Sequence, residues 1–188
     1  MKLIFSALAA TLMLAACVAP TPPTIGQGDV DRAFREATRI SRLPETRTVD
    51  LPTGSVTYTG QVGSNVAGDL RGSILGDMVM NVGFSTNRVT GSVSNLNLID
   101  TAGRPDQLLG GRLAIGGFED QGSILAGAAG EITGVTAGGT AFASDVNLTL
   151  QGRVRDDFSR GDAVFGTATG NAVGDVNLFF DGVFFGTR

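Results

Sequence analysis

Two alternating runs joined by a polar turn, Asp77 to Leu98 (DMVMNVGFSTNRVTGSVSNLNL), constrain this chain more than any other stretch. Met78, Met80, Val82 and Phe84 alternate with Val79, Asn81, Gly83 and Ser85. A period of two puts the first set on one face of a strand. Ser85-Thr86-Asn87-Arg88 then reverses the chain, and Asn tolerates the left-handed backbone that a tight turn needs. Val89, Gly91 and Val93 resume the alternation, but after Ser94 the apolar phase jumps to Leu96 and Leu98. A slip of one residue would turn every later side chain to the wrong face, so the sequence predicts a β-bulge near Ser94-Asn95. Two strands alone are marginal in water, so this hairpin needs a larger sheet.

The same pattern recurs to the last residue. Gly54–Val62, Leu109–Gly117, Ser123 toward Val135, Ala143–Val154, Ala163–Gly170 and Val176–Phe185 all read as strands between Gly and Asp/Asn clusters. With Asp77–Phe84 and Arg88–Leu98 they make eight. Asp145-Val146-Asn147-Leu148 followed by Gly152 is echoed by Asp175-Val176-Asn177-Leu178 followed by Gly182, which suits equivalent strands of a meander. The chain holds 28 Gly, of which Gly60, Gly83, Gly91, Gly117, Gly152 and Gly182 fall where bends or large neighbours are expected. The predicted fold is all-β: an eight-stranded antiparallel up-and-down β-barrel over residues 49–188, preceded by one short amphipathic helix. A flat antiparallel sandwich is the competing arrangement.

Upstream, the sequence reads as an address. Met1–Ala16 has Lys2 followed by a short apolar run from Leu3 to Leu14, too short for a permanent bilayer span. Leu14-Ala15-Ala16-Cys17 resembles the lipobox of bacterial lipoproteins, which implies cleavage before Cys17 and diacylglycerol attachment to its thiol. Several acyl chains on one residue give stable anchoring. Residues 17–28, with Pro20, Pro22, Pro23, Gly26 and Gly28, read as a lipidated Cys and an extended tether that lifts the domain off the membrane. Asp29 to Leu43 reads as the helix, closed by Pro44 at the end of the 29–44 segment. Val30, Ala33, Phe34, Ala37 and Ile40 follow helical spacing, while Arg32, Arg35, Arg39 and Arg42 fall on the polar side. The helix is expected to dock through Phe34 and Ile40 on one end of the barrel; a basic helix facing anionic lipid or a partner is the other reading. Val18 after the anchor is not an acidic retention signal, so the outer membrane is the expected location.

Several chemistries are excluded by residue type. There is no His, and Cys17 is the only Cys. The commonest general base, the commonest metal ligand and any thiolate cluster or disulfide are therefore absent. Lys2, the only Lys, goes with the leader, which removes Schiff-base chemistry. A formal net charge of −4, lowered by one on losing Lys2, argues against general nucleic-acid binding. Glu119-Asp120 and Asp156-Asp157 with Asp162 lack the spacing of a calcium loop, so no metal is expected. Haem through Tyr58 or Met80 is weighed against plain core packing, and no cofactor is expected.

The hairpin, the Gly-punctuated strands and the ending Leu178-Phe179-Phe180-Asp181-Gly182-Val183-Phe184-Phe185-Gly186 resemble the barrel of the transferrin-binding protein B family, which includes factor H binding protein and related surface lipoproteins. Val79–Phe84, Val89–Val93, Gly182–Gly186 and Asp162–Gly166 carry the likeness. The family's separate handle domain, its large host-binding loops and an aromatic in Gly152–Asp156 are missing here, so transferrin binding is not carried over. The resemblance implies a lipid-anchored barrel that binds something. The expected role is a non-enzymatic envelope lipoprotein that contacts a protein or a small solute through rim loops. The candidate rims are Thr101–Gln107, Phe118–Gly122 and Arg155–Gly161, with Arg104, Arg155, Asp156 and Phe118 as candidate contacts. A structural envelope lipoprotein without a ligand is the alternative. A membrane-spanning barrel is disfavoured because one strand face is Ser, Thr, Asn and Gly.

Overall fold

The computed structural model describes residues 18–188; the leader and Cys17 lie outside the described residues. Among the described residues one α-helix, α1 (Gln27–Ser41), precedes nine strands: β1 (Ser55–Gly68), β2 (Gly72–Gly83), β3 (Arg88–Ile99), β4 (Pro105–Gly111), β5 (Leu113–Asp120), β6 (Ser123–Val135), β7 (Ala141–Asp157), β8 (Gly161–Gly174) and β9 (Leu178–Thr187). All pairings are antiparallel, and β1 pairs with β9 to close the ring. Both β4 and β5 lie between β3 and β6, one beyond the other, so nine strands fill eight positions. The run expected as a single strand, Leu109–Gly117, is broken at Gly111–Arg112, where Gly111 has φ +108°. A closed ring removes the sheet edges that a sandwich would leave open.

The organising hairpin forms as its alternation requires. Met78, Met80 and Val82 are buried, as are Val89, Val93, Leu96 and Leu98. Pairing shifts between Leu75/Asn97 and Asp77/Ser94, so Asn95 and Leu96 together oppose Gly76. Asn95 takes φ +53° in this bulge, and Asn87 takes the same value in the turn. The echoed motifs fall on β7 and β9, which flank β8. Val176 and Asn177, expected at the start of the last strand, instead form with Asp175 the turn before it. There Asp175 accepts the Ala143 N–H at 3.0 Å, and Ser144 Oγ donates to the Val176 carbonyl at 2.8 Å.

Meander topology sorts the turns to two ends. The β1–β2, β3–β4, β6–β7 and β8–β9 turns lie at one end, here the near end, where Val18 sits beside Gln107, Val135 and Asp175. The β2–β3, β5–β6 and β7–β8 turns lie at the far end. Val18–Ile25 is not a free spacer. It lies on the wall, where Thr21 O accepts the Leu108 N–H at 2.9 Å and the Thr24 N–H donates to Asn97 Oδ1 at 2.9 Å.

The helix starts two residues before the expected Asp29, because Asp29 Oδ2 accepts the Gly26 N–H at 2.9 Å and so closes the first turn. It crosses the outer wall rather than capping an end. By strand parity Leu75, Ala163, Phe165 and Phe185 point outward, and these residues with Ile99 pack against Ala33 and Ile40. Phe34 is 74% exposed, which corrects the expected anchor. Ala33 takes that place because a small residue lets a helix approach a sheet closely. Beyond α1, Pro44–Thr46 adds to the free stretch of β7: Pro44 O accepts the Asp156 N–H, and the Thr46 N–H donates to Val154 O. The chain then crosses the far end and lays Leu51 on the core.

Candidate functional site

The barrel interior is a packed core. Tyr58, Phe184, Met78, Met80, Leu109, Leu113, Ile124 and Leu150 are fully buried inside it. The space left at its centre is about 20 Å³, between Val62, Ser64, Leu113, Leu148 and Phe180. That holds one water at most. A solute seated within the ring is therefore ruled out by volume, and Tyr58 and Met80, weighed as haem ligands, are core side chains. Burial holds the Tyr58 phenol well above its usual range, and its hydroxyl is buried without a hydrogen-bond partner.

Any binding is thus left to the outer surface and the two mouths of the barrel. Arg104 sits in the β3–β4 turn at the near end, and Arg155 sits on β7 at the far end, so no single rim uses both. Arg104 is largely exposed and paired with Asp100 at 2.8 Å. The Arg104 backbone N–H and then its guanidinium hold the Asp100 carboxyl below the usual carboxylate range. This is a self-contained turn lock. Arg155 is mostly enclosed: Nη1 donates to Leu43 O at 3.2 Å, and Glu45 lies 3.9 Å away. It fastens the helix exit to β7. Asp156 belongs to the same joint through its backbone N–H to Pro44 O. Of the four named contacts, Phe118 is the one presented outward and unengaged, 55% exposed on β5 and directly opposite Leu125 on β6.

The far end carries further exposed apolar surface beyond Phe118. Phe158, at the tip of the β7–β8 turn, is 87% exposed, and Val49, on the crossing segment, is 85% exposed. Large apolar side chains on solvated turns gain nothing for the fold, which is the signal that could have found them. A second concavity lies beside α1. It is an open groove of about 340 Å³ between Val30, Phe34 and Ala37 on the helix and Asn65, Leu75 and Val183 on the wall. No three carboxylates converge as a metal site among the described residues.

Comparison with models of known protein families, with curated proteins and with solved structures matches this chain to none of them.

Proposed function

We propose that this chain is a non-enzymatic lipoprotein of the bacterial outer membrane, anchored through Cys17, which uses a filled barrel as a rigid scaffold and binds a protein partner at its far end. The observation that carries the reading is the set of exposed apolar residues on that end, Phe158, Val49 and Phe118 with Leu125, on the side of the barrel opposite Val18. Aromatic side chains on rigid turns are the usual anchors of protein interfaces. Eight closed positions and short turns also support kinship with the transferrin-binding protein B family, without its transferrin-binding loops. A solute is not part of the proposal, because the interior has no room for one.

Photo-crosslinking in cells tests this. A photoreactive residue at Phe158 or Phe118 is expected to capture one defined protein, and the same residue at Arg104 is not. Capture at Arg104 alone would place the partner at the wrong end. No capture at any position would favour a structural envelope lipoprotein without a ligand.

A further inference from the structure

The near end carries an apolar margin that the fold does not use. Val173 is the second-to-last residue of β8 and Phe179 the second of β9; both point outward and are 57% and 66% exposed. They flank the Asp175–Asn177 turn, and Asp175 shares one surface depression with Val18. Phe179 stands between Ala67 and Asn171 across the sheet, and Val173 stands opposite Asp145, whose other neighbour is Glu131. The turns of this end hold Asp69, Asp100 and Asp175 against Arg71 and Arg104, and Asp106 follows on β4. Apolar residues thus sit in acidic surroundings, the reverse of a basic patch made for anionic headgroups.

We propose that this margin rests on a lipid bilayer, with Phe179 and Val173 in the interfacial layer and the far end held away from it. The inference rests on lipidation of Cys17. One peptide unit separates Cys17 from Val18, a Cα spacing of about 3.8 Å. Val18–Ile25 is itself fastened to β3 and β4 through Thr24 and Thr21, so slack is confined to Val18, Ala19 and Pro20. Acyl chains on Cys17 therefore hold this end, and no other, at the membrane. Amphipathic surfaces bury their apolar side chains roughly 5–10 Å into the headgroup boundary. The acidic turns make the contact apolar in kind: zwitterionic lipid accepts it, and anionic lipid repels it at low salt.

The chain contains no Trp, so single substitutions report cleanly. The protein from Cys17 onward, produced without lipid, is coupled through its thiol to a maleimide lipid in phosphatidylcholine vesicles. This step makes the result independent of natural lipidation. With Phe179→Trp or Val173→Trp, coupling is expected to shift the emission to the blue and to make it quenchable by lipids brominated on the acyl chains. With Phe158→Trp, neither change is expected. Added phosphatidylglycerol should weaken quenching at low salt, and added salt should restore it. Equal quenching at Phe179→Trp and Phe158→Trp, none at either, or quenching that grows with anionic lipid would overturn the proposal. The anchor is tested separately by incorporation of labelled palmitate and its loss in Cys17→Ser. An unlabelled native chain would sink the anchor reading and leave the vesicle result to be judged by itself.

Discussion

The Arg39 guanidinium donates to the Asp157 carboxylate at 2.5 Å, across 118 positions of sequence. The same guanidinium holds Glu36 at 2.8 Å on its own helix. Arg39 therefore ties the C-terminal turn of α1 to the far end of β7, beside the Arg155–Leu43 bond that fastens the helix exit. The hydrogen bond from Arg39 is the main cause that keeps both carboxyls below the usual carboxylate range. Acids with lowered folded-state pKa values lend stability that is present above the ordinary carboxylate range and is lost as pH falls through the folded values. Acidification is thus expected to release α1 before the barrel unfolds. Arg39→Ala should speed amide exchange in α1 by on the order of tenfold at neutral pH, leaving β7 and β8 protected. Asp157→Asn should flatten the acid dependence. Unchanged helix protection in both variants would show that the pair is not the clasp.

Ile40 is the apolar half of that clasp, fully buried among outward-facing wall residues. Ile40→Ala should cost about 2–5 kcal/mol of whatever unfolding step includes the helix. Phe34→Ala should cost under about 0.5 kcal/mol, since its ring is already in water. Thermal melts of the two variants check this, and an equal loss from both would contradict the observed docking face.

Phe184 lies over two glycines that face each other across β7 and β8, Gly152 and Gly166. A Cβ on Gly152 would stand 2.6 Å from the Phe184 ring and 2.5 Å from the Phe165 carbonyl oxygen. No rotamer change moves that carbonyl, so Gly152→Ala should destabilise the barrel by about 3 kcal/mol. Phe184→Ala should cost about 3–5 kcal/mol through the cavity it leaves. Urea midpoints that barely move in either variant would show that the ring is not packed this way.

The barrel was readable because nearly every strand has one wet face and one dry face, and a period of two survives in such a strand. The Asn95 bulge was readable for the same reason, as a break in phase. Even the separation of Arg104 from Arg155 was available, since counting turns in an up-and-down meander sends those two residues to opposite ends. The docking face of α1 was not. Ala33 and Phe34 are neighbours on the helix, and helical spacing alone admits both to the apolar stripe; only the close approach of the wall selects the smaller. Nor does a single polar residue announce that it will replace missing ladder bonds, as Gln107 does, or a surface Phe that it will stay exposed, as Phe158 does.

Tyr58, the only Tyr, is fully buried with an unpartnered hydroxyl. A stranded buried polar group costs about 1–3 kcal/mol, so Tyr58→Phe should stabilise the protein by about 1 kcal/mol. Burial is the main cause of the raised phenol pKa, with the Asp162 charge second. The unfolded phenol ionises near its ordinary value of about 10, while the folded one stays protonated. Stability from this group is thus complete below that value and is lost progressively as pH rises from it toward the raised folded value. The wild-type chain should show phenolate absorbance only as it unfolds at alkaline pH, and Tyr58→Phe should lose this alkaline limb. Phenolate forming while the far-ultraviolet dichroism stays native would place the hydroxyl in contact with solvent.

Gln107 closes a stretch of wall where the ladder is incomplete. Strand β4 pairs with β6 only at Gly110 and Gly111, so the two diverge toward the near end. The buried Gln107 side chain spans that opening: Nε2 donates to Val135 O at 2.7 Å, and Oε1 accepts the Val135 N–H at 3.0 Å. Thr21 O accepts the Leu108 N–H one residue on, so the segment leading to Cys17 seals the same seam. Gln107→Leu keeps the bulk but strands both Val135 groups, at about 1–3 kcal/mol each. The loss should be local before it is global. Exchange at Val135 and Leu108 should quicken far more than exchange at Leu150, which is paired on both sides, with Ala126 and Ala168. Thr21 and Thr24 are what fasten the N-terminal segment here, so a seam weakened in this way should also let Val18–Ile25 leave the wall and become open to proteolysis there. Gln107→Glu keeps the acceptor for the Val135 N–H but turns the donor into a charge facing a carbonyl, and should be worse than Gln107→Leu at neutral pH. Should Gln107→Leu leave the exchange pattern and the protease resistance of the N-terminal segment as they are in the wild type, the seam is held by something other than this side chain.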